Sequence, residues 1–214
     1  MTVLHVFDMD GTLLAGSTAS VQIAAALGSE ADLVELERRF AGGELDTRGF
    51  AAAICTLWRD LAPELVAAAF AGSPWLAGID DVCADIRRRG ERSAVITMSP
   101  NFFAVRLLER GFDEVVASRF PPLPLTAAAD PAGILTPADK VRIVDELCAR
   151  HRIQRRHCVA YGDSMSDAPL FRHLSATVAV NADEHLTYLA AAGYRGHDLT
   201  AAYALGRALL PVAE

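Results

Sequence analysis

Thr2-Val3-Leu4-His5-Val6-Phe7-Asp8-Met9-Asp10-Gly11-Thr12-Leu13-Leu14 is the stretch whose reading decides the fold. A short apolar run breaks off in two carboxylates and a glycine, the pattern of a buried strand that delivers charge at its carboxyl end. Asp8 and Asp10 stand two residues apart, so an extended chain points both to the same side. Like charges at that distance repel, and the pair needs a cation or a shared proton.

Outward from this strand the chain changes texture twice. Residues 18–70 are helical in pattern throughout, with helices expected over 19–26, 31–40, Thr47–Leu57 and Pro63–Ala71, and with Gly28, Gly42-Gly43 and Gly72 as breaks. After Pro74 helices and strands alternate. Helices are expected over 79–89, 102–110, 138–151, 165–173 and 200–210, and strands over 93–97, 114–117, 157–161 and 177–180. Strands separated by helices imply an α/β fold with a doubly wound parallel sheet. The expected organisation is a core of residues 1–15 and 75–214, with residues 16–74 inserted after the first strand as a small all-helical cap domain.

Composition excludes several classes. The net charge is −7, and the 20 basic residues are dispersed, so no nucleic-acid partner is expected. The alanine-rich stretch 51–71 is broken by Arg59, Asp60, Pro63 and Glu64, so no membrane span is expected. Cysteines 55, 83, 148 and 158 form no C-x-x-C pair and read as reduced, buried thiols. No signal peptide is read at the N-terminus. These readings together place the protein in the cytoplasm. Phe50, Trp58 and Trp75 read first as core packing, and His5 as a structural histidine inside its strand.

In an open α/β sheet, ligands gather beyond the carboxyl ends of the strands. Two later strand ends also carry polar groups: Thr97-Met98-Ser99-Pro100-Asn101 and Gly162-Asp163-Ser164-Met165-Ser166-Asp167. With Asp163 as a third hard oxygen donor, the carboxylates suit Mg²⁺, which binds one or two carboxylates together with waters and a substrate phosphate. Lys140 is the single lysine against nineteen arginines. Its compact ammonium can sit between a carboxylate and a phosphate where a planar guanidinium cannot.

These four segments resemble the motifs of the haloacid dehalogenase superfamily, specifically its phosphoserine-phosphatase-like branch with its Rossmann-like core. D-x-D-G-T is matched by Asp8 to Thr12, the strand-end Ser or Thr by Ser99, the helical lysine by Lys140, and G-D-x-x-x-D by Gly162, Asp163 and Asp167. The resemblance runs from about Val3 to Leu186. It implies a phosphatase in which Asp8 attacks phosphorus and forms an aspartyl phosphate. The resemblance also implies that Asp10 protonates the leaving alcohol and then activates water to hydrolyse the intermediate. It further implies that Met9, Asp10, Ser99, Asn101 and Lys140 hold the phosphoryl group. Asp8, the Asp10 carbonyl and Asp163 would hold Mg²⁺, with Gly162 and Asp167 supporting that shell.

The chain also departs from that branch. Its glutamate for the substrate ammonium falls at Ser17, and its cap arginine for the substrate carboxylate falls at Ile54, leaving Arg48 or Arg59 as substitutes. Pro100 removes one N–H next to Ser99, and Ser166 replaces a common asparagine. The expected substrate is therefore a small phosphorylated metabolite, with a sugar, polyol or cyclitol phosphate favoured over phosphoserine. Alternatives are a phosphotransferase, a phosphoserine phosphatase with divergent cap contacts, and an inactive small-molecule-binding module. A monomer or homodimer is expected.

Overall fold

The computed structural model describes residues 2–211. In chain order the elements are β1 (Leu4–Phe7), β2 (Asp10–Gly11), β3 (Leu14–Ala15), α1 (Ala19–Leu27), α2 (Glu30–Ala41), α3 (Thr47–Leu57), α4 (Pro63–Ala71), α5 (Ile79–Arg88), β4 (Arg92–Pro100) and α6 (Asn101–Ala104). There follow β5 (Glu114–Ser118), α7 (Pro137–His151), β6 (Cys158–Gly162), α8 (Ala168–His173), β7 (Ala176–Val180), α9 (Glu184–Leu189), β8 (Ala192–Tyr194) and α10 (Leu199–Ala208). Six strands form one sheet in the order β5-β4-β1-β6-β7-β8, and every neighbouring pair is parallel.

Strand β1 lies at the middle of this sheet, and all four of its residues are buried. Alternation sends its side chains to opposite faces. Val3 and Phe7 enter one apolar cluster with Ile79, Val82 and Ile86 of α5 and with Leu199 and Ala202 of α10. Leu4 and Val6 enter the other, with Ile143, Val144 and Leu147 of α7 and with Phe171 of α8. Helices cover both faces, as an all-parallel sheet requires. Helices α1 to α4 extend the first cluster through Ile23, Leu33, Ile54, Trp58 and Phe70, so the helical block is continuous with one side of the core. At roughly 1.5–3 kcal/mol for each large side chain withdrawn from water, these two clusters are the main stabilising term.

Several elements differ from expectation. β4 runs to Pro100 rather than stopping at Thr97, with a register shift against β5 between Thr97 and Pro100. The helix expected over 102–110 is a single α turn followed by a 3₁₀ helix, Val105–Arg110, closed by Gly111 at φ 99°. Residues 165–173 divide into a 3₁₀ turn, Met165–Asp167, and α8. Neither α9, nor β8, nor the small β2–β3 ladder carries a strong sequence pattern. His5 is wholly buried between the Tyr161 hydroxyl and the Glu91 carboxylate, 3.1 Å from each. All four cysteines are free and buried, with Cys148 and Cys158 sulfurs 3.2 Å apart. Among the described residues no helix is long and apolar enough to cross a membrane.

Candidate active site

The end of β1 is fixed to its neighbour by the Asp8 N–H, which donates to the Tyr161 carbonyl at 2.9 Å. The chain then turns tightly: the Met9 carbonyl accepts from the Leu13 and Leu14 N–H groups, at 2.9 Å each. Gly11 has φ +74°, and a Cβ there would lie 2.0 Å from Asp163 Oδ2. Glycine is thus required twice, for its conformation and for the approach of a carboxylate. The Met9 side chain is buried in the core, so only its backbone faces the site.

β4 delivers Thr97 and Ser99 beside this turn. Ser99 N–H donates to Thr97 Oγ1 at 3.1 Å, which aims the Ser99 hydroxyl at Asp10 Oδ2, to which it donates. The other Asp10 oxygen accepts from the N–H of Ala19, at 2.8 Å, in the first turn of α1. One carboxylate therefore joins the β4 end to the helical block.

β6 ends at Gly162, Asp163 follows it, and the Asp163 N–H donates to Asp167 Oδ2 at 3.2 Å. A Cβ on Gly162 would sit 2.4 Å from the Asp167 carboxyl carbon, so that residue also makes room for a carboxylate. Helix α7 starts at a capping box of Thr136 and Asp139, with Pro137 in its first turn. Lys140 follows one turn in. It is 1% exposed, and its ammonium donates to Asp8 Oδ1 at 2.8 Å and to Asp167 Oδ1 at 2.6 Å.

Electrostatics follow from this crowding. Burial raises the Asp8 carboxyl well above the usual carboxylate range; Lys140 opposes the rise, while Asp167, Asp163 and Asp10 add to it. Burial likewise raises Asp10, against the hydrogen bonds from Ser99 and Ala19. Asp163 is pushed up to about 7, by burial first and then by Asp167. Burial alone would lower the Lys140 ammonium, but the two carboxylates outweigh it and hold the group charged. One ammonium does not neutralise this set of carboxylates.

Asp8, Asp163 and Asp167 each place a carboxylate oxygen within 4.8 Å of the others. Asp163 Oδ1 is buried without a hydrogen-bond partner. An orphaned carboxylate oxygen among acidic neighbours fits a hard divalent cation. Both Asp167 oxygens are already engaged, by Lys140 and by the Asp163 N–H. This leaves Asp8 and Asp163 as the better-placed side-chain donors.

The cluster opens into a cavity of about 580 Å³ lined by Asp8, Asp10, Lys140 and Asp163. A second cavity, of about 210 Å³, runs beneath the helical block and shares Asp10, Thr18, Glu37, Phe40 and Met98 with the first. Of the residues singled out in the sequence, Asp8, Asp10, Ser99, Lys140, Gly162, Asp163 and Asp167 meet here. Asn101 does not join them through its side-chain oxygen, which accepts from the Phe120 N–H at 2.9 Å and ties down the loop after β5. Ser17 Oγ accepts from Gln22 Nε2 at 2.8 Å, and Ile54 is a buried part of the second cavity. Arg48 donates to the Pro131 carbonyl at 3.1 Å. Trp58 and Trp75 pack in the core, whereas Phe50 lines the second cavity. Sequence reading missed Glu37, Phe40, Met98 and Phe120 as lining residues. The only signal was the i, i+3 spacing of Glu37 and Phe40, which puts both on one face of α2.

Fold and site together define an α/β protein with a carboxylate–ammonium centre at the carboxyl ends of its parallel strands. The chain belongs to the haloacid dehalogenase-like hydrolases, whose family profile matches residues 5–172. A HAD family hydrolase from Salmonella enterica serovar Typhi superposes with a TM-score of 0.82 at 20% identity, over 93% of this chain and 70% of that one. A phosphoserine phosphatase, captured as a phospho-aspartyl intermediate analogue, gives 0.79 at 21% identity, over 95% and 98%. A probable phosphoserine phosphatase from Vibrio cholerae gives 0.80 at 19% identity, over 96% and 64%. At these identities the likeness is one of fold. No curated protein matches the chain.

Proposed function

We propose that the protein is a Mg²⁺-dependent phosphatase that hydrolyses a small-molecule phosphomonoester through an aspartyl phosphate on Asp8. The observation that carries this reading is the buried Lys140 ammonium, bridging Asp8 and Asp167 beside Asp163 at the floor of an open cavity.

An Asp8 oxygen attacks phosphorus and the bond to the leaving oxygen breaks, while Asp10 gives that oxygen a proton. Burial, which favours the protonated form of Asp10, suits it to this task. Asp10, now a carboxylate, takes a proton from water, and the resulting hydroxide oxygen cleaves the acyl phosphate to free Asp8 and inorganic phosphate. Lys140 holds Asp8 in place and favours its ionised form against burial, and Ser99 turns its hydroxyl from Asp10 to a phosphoryl oxygen. Backbone N–H groups at Met9, Asp10 and Asn101 complete the cradle. Asp8, the Asp10 carbonyl and Asp163 would hold Mg²⁺, with Gly162 and Asp167 behind them. When bound, the ion supplies positive charge that offsets the repulsion between a carboxylate and an anionic ester.

Residues 16–74 act as a cap over residues 1–15 and 75–214, and closure keeps bulk water from the acyl phosphate. The absence of a charged partner at Ser17 and Ile54 supports a substrate other than phosphoserine. Phosphate release from an aryl phosphate with Mg²⁺, in wild type and in Asp8→Asn, tests the proposal. Loss of turnover in the folded variant, by about 10³-fold or more, is expected. Equal release by both proteins would refute it.

A further inference from the structure

The cavity of about 210 Å³ beneath the helical block is built mostly of carbon. Phe40 of α2, Phe50 of α3 and Phe120 of the loop after β5 reach it from three segments. Phe40 and Phe50 meet with ring centroids 5.4 Å apart at 57°. Ile54, Met98, Pro100 and Ile134 close it further. No Arg, Lys or His is among its lining residues, so a second anionic group on the substrate has nothing to pair with. The space is also smaller than the roughly 300–1,000 Å³ typical of larger ligands.

Two acids line this cavity, Asp10, which is held by Ser99 and Ala19, and Glu37. Glu37 lines both cavities, at their junction. Among the described residues it makes no ion pair, whereas the other acids of α2, Glu30, Asp32 and Glu35, are exposed and Glu35 pairs with Arg38. Burial raises its carboxyl above the usual range, the sign of a charge partly withdrawn from water without a partner. A carboxylate beside several aromatic rings is the arrangement that receives an alkylated ammonium, whose charge is spread over carbon and attracted to ring faces. A sugar, polyol or cyclitol, the groups expected from sequence, would set part of its hydroxyl surface against the rings, with Thr18, Ser20 and Thr47 as the neutral polar groups away from Ser99.

We infer that the alcohol released by this enzyme is a compact aminoalcohol whose alkylated ammonium sits against Phe40, Phe50 and Phe120 with Glu37 as counter-charge. The inference rests on the phosphatase reading, since the phosphate must lie in the adjoining acidic cavity.

Two isosteres isolate the charge: choline phosphate and 3,3-dimethylbutyl phosphate, which differ by nitrogen for carbon. With Mg²⁺, kcat/KM is expected to favour the cationic ester by about tenfold or more. In Glu37→Gln that ratio falls toward one. Free choline should also bind the unloaded protein more tightly than 3,3-dimethylbutanol by calorimetry, and lose that advantage in Glu37→Gln. Equal use of the two esters, or preference for glycerol phosphate or phosphoserine, overturns the assignment. An aryl phosphate run alongside separates the two failures. Turnover of it without a cationic preference sinks only the aminoalcohol, whereas no turnover of any ester sinks the phosphatase reading and the inference with it.

Discussion

Replacing Lys140 by methionine keeps most of the side-chain volume and removes the charge. The ammonium is 1% exposed and lies 2.8 Å from one carboxylate and 2.6 Å from another. Without it, Asp8 and Asp167 face each other and Asp163 with no cation. Breaking a buried ion pair from one side costs about 3–5 kcal/mol, because the remaining charge stays buried and unpaired. With a urea m-value of about 2 kcal/mol/M, the unfolding midpoint should fall by roughly 1.5–2.5 M in the presence of EDTA. Adding Asp167→Asn to Lys140→Met should recover part of the loss, since one orphaned charge is removed. The two substitutions should therefore be non-additive by more than about 1 kcal/mol. Urea unfolding followed by far-UV circular dichroism measures all four corners of the cycle. A Lys140→Met protein within about 1 kcal/mol of wild type, or strict additivity, would refute the claim that this ammonium holds the carboxylates together.

Other consequences are open to simpler tests. Gly11→Ala drives a Cβ to 2.0 Å from Asp163 Oδ2 and strains a φ of +74°; Mg²⁺ affinity by calorimetry should drop about 10–100-fold while the circular dichroism spectrum stays native. His5 is held below its ordinary pKa, by burial first, against the pull of Glu91. The folded state thus takes up its proton later than the unfolded chain. The stability His5 contributes is complete above about pH 6.5 and declines as pH falls from there toward the folded value, by about 1.4 kcal/mol per pH unit at most. Comparing urea midpoints of wild type and His5→Gln between pH 7.5 and 5.5 checks this, and parallel slopes would contradict it. Arg48→Ala removes the bond from α3 to the Pro131 carbonyl. Arg48 is exposed, so thermal unfolding should be unchanged within error while KM rises, and an unchanged KM would remove that bond from any part in closing the block.

The chemistry of the site was more legible in the sequence than the pocket that selects a substrate. Asp8, Asp10, Ser99, Lys140 and Asp163 each follow a strand end or a helix cap, where residue type and local structure are tied together. Thr47–Leu57 and Pro63–Ala71 were readable to the residue because Asp46 caps one and Pro63 starts the other. The strand Ala192–Tyr194 was not, because three residues with a central glycine carry no periodicity and hold only by pairing with β7. The Lys140–Asp167 pair depends on how far helix α7 stands from the β6 end, a tertiary distance that spacing does not encode. Glu37 was hidden for a different reason. In a helix with acids at 30, 32, 35 and 37, nothing local tells the one facing inward from those in solvent.

The composition gives the buried ammonium one more consequence. Lys140 carries the only side-chain amine in the chain, and its 1% exposure shields it from solution reagents. Acylation of that amine can therefore proceed only as fast as the cleft admits the reagent. Since Asp8 and Asp167 hold the amine protonated, tagging reports the openings that part it from them, readable on unmodified protein without an introduced probe.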